Sequence, residues 1–499
     1  MIHGDQLAVF AILFMGVSLA GFWANRWRRA DLRTLDQWGL AGRSLGTVIN
    51  WFLMGGDLYT AYTFIAVPAL VFGKGAIGLF AIPYTIIVYP LVYVVMPRLW
   101  RVGRHRGHVT PSDYVGDRFD SRLLSVLIAI TGIVATIPYI ALQMFGIQVV
   151  LAQMGVPVEL ALVIAFLILA FFTYLSGLRA PAMIAFAKDV LIWSTILVAV
   201  IYLPIRLGGY GAIFAHVPTK LAILPRASYV PYSTLAFGSA LALFLYPHAV
   251  TSVLASKDQD VIKRNAAFLP AYSFLLGLIA ILGYVAIAAG IHPSKAYGPN
   301  SAVPQLFAAM FPGPFTGYAF AAIAIGALVP ASVMSIAAAN LFSRNLYREL
   351  FRPTASANEE TNVSKVFSGV VKLGALLFIL LVPTTYVINF QLAGGVWILQ
   401  TLPAVFLSLY LRWLDRWAVA AGWAVGIGLG TYWLVQVHFA ASTISLFGLT
   451  HDQVYIALAA FIANLIVVIG GSLIARLLGA AGRTRLAEAD YEVSVPSGA

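Results

Sequence analysis

Long, almost uncharged runs succeed one another along this chain, separated by short stretches in which charges, prolines and glycines collect. Thirteen such runs cover about residues 5–25, 47–72, 76–97, 123–152, 158–177, 182–205, 233–255, 266–291, 315–343, 366–387, 389–411, 417–436 and 453–476. Each approaches the roughly 20 apolar residues that carry a helix across a bilayer core of about 30 Å. The pattern therefore predicts an all-α integral membrane protein with about 13 transmembrane helices, numbered here as segments 1 to 13. Segment 1 follows Met1-Ile2-His3-Gly4-Asp5 without a basic leader or a small-residue cleavage site, so it reads as a retained helix and not a signal peptide.

Composition agrees with that pattern. Of 499 residues 61% are hydrophobic and 10% charged, against roughly 25% charged in soluble domains. There is no cysteine, which excludes disulfide scaffolds, zinc-thiolate sites, iron-sulfur clusters and thiol nucleophiles. The net charge of +12 is not spread evenly. With the N-terminus outside, 24 of the 31 Lys and Arg residues fall on the cytoplasmic side. Only Lys74, Arg206, Lys220, Arg226 and Lys295 fall outside, and Lys188 and Lys372 lie within segments. The positive-inside rule then orients a plasma-membrane protein with its N-terminus out and its C-terminus in. The basic surplus reads as topology determination and contact with anionic lipid, not nucleic-acid binding. Trp23, Trp27, Trp100, Trp413 and Trp417 sit at segment ends as interfacial anchors do. One transmembrane domain is expected over 1–482, followed by a polar, disordered cytoplasmic tail over 483–499.

Ionisable groups inside the membrane are costly, and they mark functional positions by default. Asp57 and Asp189 are the carboxylates well inside segments, and His248 is the histidine placed deep in one. That scarcity leaves no metal quartet and no cluster of nucleophile, base and orienting group, so an enzyme is not expected. Asp57 follows Gly55-Gly56 in segment 2, where the glycines weaken the helix. An unwound turn at membrane depth must line protein or a watery cavity, and there its carbonyls can hold a cation. The alternative is close packing through a small-residue pair. Segment 7 carries Leu245-Tyr246-Pro247-His248, where proline removes a helix hydrogen bond. His248 then serves either as a solute ligand or as a structural cap. The two interruptions are five segments apart, and five is odd. Two five-helix units, about 47–205 and 233–411, would thus lie in opposite orientations, which points to a secondary transporter with a site at the midplane. Ser332 and Ser335 in segment 9 share a helix face, either to complete a sodium site opposite Gly55 and Gly56 or to pack helices. Asp189 lies about two turns, roughly 10 Å, into segment 6. It can guide a cation's exit or hold a structural hydrogen bond, while Lys188 snorkels to the interface.

At these motifs the chain resembles the sodium/solute symporter family over roughly residues 40 to 420. Gly55-Gly56-Asp57 through Pro68-Ala69-Leu70 resembles the broken first core helix. Thr110-Pro111-Ser112-Asp113-Tyr114 with Asp117-Arg118-Phe119 resembles the intracellular loop signature, and Tyr246-Pro247-His248 with Ala255-Ser256-Lys257-Asp258 the seventh-segment motif. Ala338-Ala339-Asn340-Leu341-Phe342-Ser343-Arg344-Asn345 is most similar to the monocarboxylate permease branch. The resemblance implies ten core helices plus three peripheral ones in an amino-acid/sodium symporter-like fold. It also implies cation-coupled uptake of a small organic solute, with no cofactor beyond the coupling ion. Carried over, Gly55, Gly56, Asp57, Leu58, Tyr59, Ser332 and Ser335 would bind sodium, and Asp189 would assist its release. Where many relatives have a second hydroxyl after the serine, this chain has Ile336, so a proton as coupling ion stays open.

If the solute is a monocarboxylate, such as lactate, pyruvate or acetate, or an amino acid, its charge needs a partner. With no Arg or Lys expected at mid-membrane, the positive ends of the broken half-helices would supply it. Tyr59, Gln143, Tyr246, His248 and Gln391 are the polar residues expected around it. A uniporter or channel on the same fold is the competing reading.

Overall fold

The computed structural model describes residues 4–27, 32–56, 59–382, 385–445, 452–479 and 482–492. Asp57 and Leu58, both expected at the ion site, lie outside the described residues. The described chain is built of helices, with one short antiparallel strand pair, Thr443–Ser445 with Gln453–Tyr455. Among the described residues ten helices are long and apolar enough to cross a membrane. The number is eleven if the pair Thr219–Leu243 and Pro247–Leu254, bent by 45°, counts as one span. Thirteen crossings are not established by that measure. It takes Tyr62–Arg106 as one apolar stretch and leaves Glu159–Tyr174, in segment 5, as a shorter apolar helix.

Both interruptions expected in the core are present. Segment 2 begins as the helix Thr47–Gly56 and resumes through a π-turn, Tyr62–Ala66, into the helix Val67–Lys74. A resumed helix leaves backbone N–H groups without partners in its first turn, and here side chains accept from them. Ala61 N donates to Gln143 Oε1 at 3.0 Å, and Tyr62 N donates to Thr60 Oγ1 at 3.0 Å. Segment 7 runs as Tyr229–Leu243, turns, and restarts at Pro247–Leu254. Proline opens the second half, where its missing N–H costs nothing.

The first half of segment 2 and the second half of segment 7 are tied to each other. Leu45 N donates to the Ala255 carbonyl at 3.1 Å, and Lys257 N donates to the Leu45 carbonyl at 2.9 Å. Asn50 Nδ2 reaches Ser256 Oγ at 2.9 Å, and Trp100 Nε1 reaches the Ser256 carbonyl at 3.0 Å. Segment 9, the helix Gly313–Leu341, is the central post. Its apolar stretch is buried throughout, against segments 1, 4, 6 and 10.

On the arginine-rich side the loop signature forms a seal. The helix Pro111–Phe119 starts on a capping box made by Thr110 and Asp113. Thr110 Oγ1 donates to Asn345 Oδ1 and Asn345 Nδ2 donates to Asp113 Oδ1, both at 2.7 Å, joining the loop to the end of segment 9. Arg118 donates to the carbonyls of Ser408 at 3.1 Å and Arg412 at 2.8 Å. His108 Nε2 lies 2.8 Å from Asp117 Oδ2, and that hydrogen bond holds the Asp117 carboxyl below the usual carboxylate range. The tail, expected to be disordered, docks here over its described part. Arg485 pairs with Asp120 at 2.6 Å, and Tyr491 lies under the guanidinium groups of Arg98 and Arg412 at 5.0 and 4.6 Å. Cation–π contacts and an ion pair thus fix a segment whose composition alone offers no core.

Across the membrane from that seal is a cavity of about 710 Å³, lined by Lys74, Phe80, Ser228, Tyr386, Asn389 and Ser442 among others. Its residues come from the loops after segments 2, 6, 10 and 12 and the helix ends beside them.

Candidate functional site

Two buried polar clusters lie at the two breaks. The first is built on the end of the half-helix Thr47–Gly56. The last carbonyls of a helix carry its negative dipole end and lack intrahelical donors, so they attract a cation. The cation the fold supplies is Lys188. Its Nζ donates to the Gly56 carbonyl at 3.1 Å and the Tyr59 carbonyl at 3.4 Å, and pairs with Asp189 Oδ1 at 3.0 Å. Neither Lys188 nor Asp189 is exposed beyond 1%. Tyr272 in segment 8 donates its hydroxyl to Asp189 Oδ2, and Tyr59 packs on the Tyr272 ring at 4.5 Å. Gly55 is required for that packing, because a Cβ there would fall 2.2 Å from the Tyr272 ring.

This overturns two expectations. Lys188 does not snorkel to the interface, and mid-membrane is not free of basic side chains. Adjacent residues point to different helix faces, but a four-carbon stem is long enough to swing the ammonium beside the neighbouring carboxylate. The alternative acceptors, two bare carbonyls at the break, hold it in the protein. Lys372 in segment 10 is also fully buried, donating to the Ser368 carbonyl at 3.0 Å.

The expected serine ligands donate their hydroxyl hydrogens to carbonyls of their own helix. Ser335 Oγ donates to the Ala331 and Ser332 carbonyls of its own helix. Ser332 Oγ donates to the Leu328 carbonyl at 2.8 Å and accepts from Thr173 of segment 5 at 3.2 Å. Segment 9 comes near the Tyr59 carbonyl at Gly326, where a Cβ would lie 3.7 Å from that oxygen. Ser332 is six residues farther on, about 9 Å along the helix.

The second cluster lies at the start of the half-helix Pro247–Leu254. His248 is completely buried, and neither ring nitrogen has a hydrogen-bond partner among the described residues. Its ring packs on Tyr139 at 5.6 Å and Tyr246 at 5.5 Å. Tyr246 donates its hydroxyl to the Gln391 carbonyl at 2.9 Å. Gln391 Oε1 and Gln143 Nε2 are likewise buried without partners. Orphaned buried polar atoms are costly, and both nitrogens of His248, in the first turn of the half-helix, mark a candidate place for a polar guest. Of the expected solute residues, the structure brings Tyr246, His248 and Gln391 together. Gln143 stands one turn beyond Tyr139 on segment 4, and Tyr59 belongs instead to the lysine cluster. Tyr139 and Tyr272 were not anticipated. No pattern in segments 4 and 8 distinguishes them from the other tyrosines until the breaks are positioned in space.

The arrangement, with two broken helices of opposite sense and a buried site at each break, is that of a solute transporter. The sequence signature of the sodium:solute symporter family matches residues 38–426. The chain belongs to the sodium:solute symporter family. A monocarboxylate transport permease protein of Rhizobium johnstonii is 48% identical over 476 residues, covering 94% of this chain and 96% of that protein. An uncharacterised symporter of Bacillus subtilis is 35% identical over 436 residues, covering 85% and 86%. Among solved structures, a sodium-coupled sialic acid symporter in a substrate-bound outward-open state matches with a TM-score of 0.76 at 16% identity, over 97% of this chain and 99% of that one. A nucleobase-cation-symport-1 family transporter matches with a TM-score of 0.51 at 13% identity, over 91% and 96%. These structural likenesses establish the fold, an all-α five-plus-five inverted-repeat core. This symporter family member is a multi-pass membrane protein that moves a small solute, and its relatives are transporters, not enzymes.

Proposed function

We propose that the protein imports a small monocarboxylate, of the lactate, pyruvate or acetate class, by symport with a cation across the plasma membrane, with its N-terminus outside. The observation that carries the reading is the buried His248, both ring nitrogens unpartnered among the described residues, in the first turn of the half-helix Pro247–Leu254. A helix N-terminus favours an anion, and imidazole and amide N–H groups supply the donors a carboxylate needs. The tyrosine rings around His248 suit a short apolar chain. The 48% identical monocarboxylate permease supports the same solute class. Two ions are open to the coupling role: family membership supports sodium, and the lysine in the break supports a proton.

The test is counterflow in proteoliposomes of the purified protein. Labelled lactate, pyruvate and acetate are expected to exchange against internal unlabelled solute. Exchange of labelled alanine or a sugar, with none of the three carboxylates, would reject the reading.

A further inference from the structure

We propose that Lys188 is the protein's own cation at the ion seat, so that transport is coupled to a proton carried on its amine and not to sodium. An ammonium has three donors, and here three acceptors surround it: the Gly56 carbonyl at 3.1 Å, the Tyr59 carbonyl at 3.4 Å and Asp189 Oδ1 at 3.0 Å. These are the oxygens that a broken helix end offers an incoming monovalent cation. With the ammonium in place, a second cation meets a like charge and finds its carbonyls engaged. Segment 9 meets the Tyr59 carbonyl at Gly326, about 9 Å along the helix from Ser332, and Ile336 offers no side-chain oxygen.

Among the described residues the surroundings of the pair are otherwise low in charge. Tyr59 from segment 2 and Tyr272 from segment 8 are the titratable groups against it. Segment 9 carries Tyr318, which bonds to Ser194 instead, and segment 1 has no ionisable residue between Asp5 and Arg26. Segment 5 contributes Glu159 and Tyr174 near its two ends, and Asp57 lies outside the described residues.

The cycle balances with one proton and no other reactant. Facing the outside, the neutral amine of Lys188 takes a proton from water, and the ammonium bonds the two carbonyls and draws segment 2 onto segment 6. Once the outer side has closed, the ammonium passes its proton by way of Asp189 to water entering from the cytoplasmic end of segment 6. The neutral amine then releases the carbonyls, and the half-helix Thr47–Gly56 is free to move. Lys188 acts through the backbone of segment 2 and need not touch the solute.

The proposal rests on the carrier reading for its transport arm only, because a melting arm needs no solute. In detergent, replacing 150 mM choline by 150 mM sodium is expected to leave the melting temperature of the wild type unchanged. Lys188→Ala, with its carbonyls and Asp189 uncovered, is expected to gain a sodium-dependent rise of about 2 °C or more. In sodium-free proteoliposomes an inside-alkaline pH gradient is expected to accumulate labelled lactate about tenfold over protein-free liposomes. A sodium gradient at equal pH is expected to accumulate none, and Lys188→Gln is expected to lose the pH-driven accumulation. Sodium-dependent stabilisation of the wild type, or accumulation driven by sodium alone, would overturn the proposal, as would pH-driven accumulation that survives in Lys188→Gln. The wild-type arms decide even if neither variant folds. Lactate counterflow that fails in the wild type rejects the solute reading, and the melting arm still judges the ion seat.

Discussion

His248 and Lys188 show how far a single residue can be read from its type and place. His248 stood out as a lone histidine in an apolar segment, yet nothing in the sequence separated a solute ligand from a structural cap. Its two nitrogens have no partner among the described residues, which favours the solute ligand. His248→Ala is therefore expected to raise the KM for lactate about tenfold, or more, with a smaller effect on kcat, in initial-rate uptake. That size follows from losing one hydrogen bond to a charged guest, roughly 1.5 to 3 kcal/mol. An unchanged KM would remove His248 from the solute site. Lys188 was visible as a charge inside segment 6, but its destination was not. Face arithmetic separates residues 188 and 189, whereas the reach of the lysine stem and the location of two bare carbonyls are tertiary facts. Ser332 and Ser335 show the converse. Their spacing put them on one face, and only the rotamers reveal that both hydroxyls donate to carbonyls of their own helix.

At the scale of elements, the broken helices were legible because glycine pairs and proline act locally on backbone hydrogen bonding. What they face was not legible, since it depends on the packing of segments 4, 6, 8 and 11 around them. One such contact is tight enough to test. Gly394 in segment 11 brings its backbone against segment 4, and a Cβ there would lie 2.4 Å from the Ala135 carbonyl and 2.7 Å from the Tyr246 hydroxyl. Backbone cannot yield as a flexible side chain can, so overpacking of about 1–3 kcal/mol is expected. Gly394→Ala should lower the melting temperature by several degrees and displace Tyr246 from Gln391, abolishing lactate counterflow. Gly369→Ala, where nothing lies within 4 Å, should melt and transport like the wild type. Equal behaviour of the two variants would refute the close packing of segments 4 and 11.

For the whole molecule, charge asymmetry predicts the orientation, and the structure adds a polar seal on the arginine-rich side and a cavity of about 710 Å³ on the other. The absence of cysteine makes this testable with single introduced thiols. Ala227→Cys, at the cavity, is expected to react with a membrane-impermeant maleimide in intact cells. Arg104→Cys, beside the seal, is expected to react only after the membrane is opened; the reverse pattern would invert the topology. The most direct measurement of the account is the steady-state ratio of labelled lactate inside to outside proteoliposomes under imposed cation gradients. A coupled carrier is expected to hold that ratio about tenfold above unity and to return it to unity when the proton and sodium gradients are both dissipated. A ratio that settles at unity under every gradient, with rapid lactate entry, would contradict symport and leave a uniporter on the same fold.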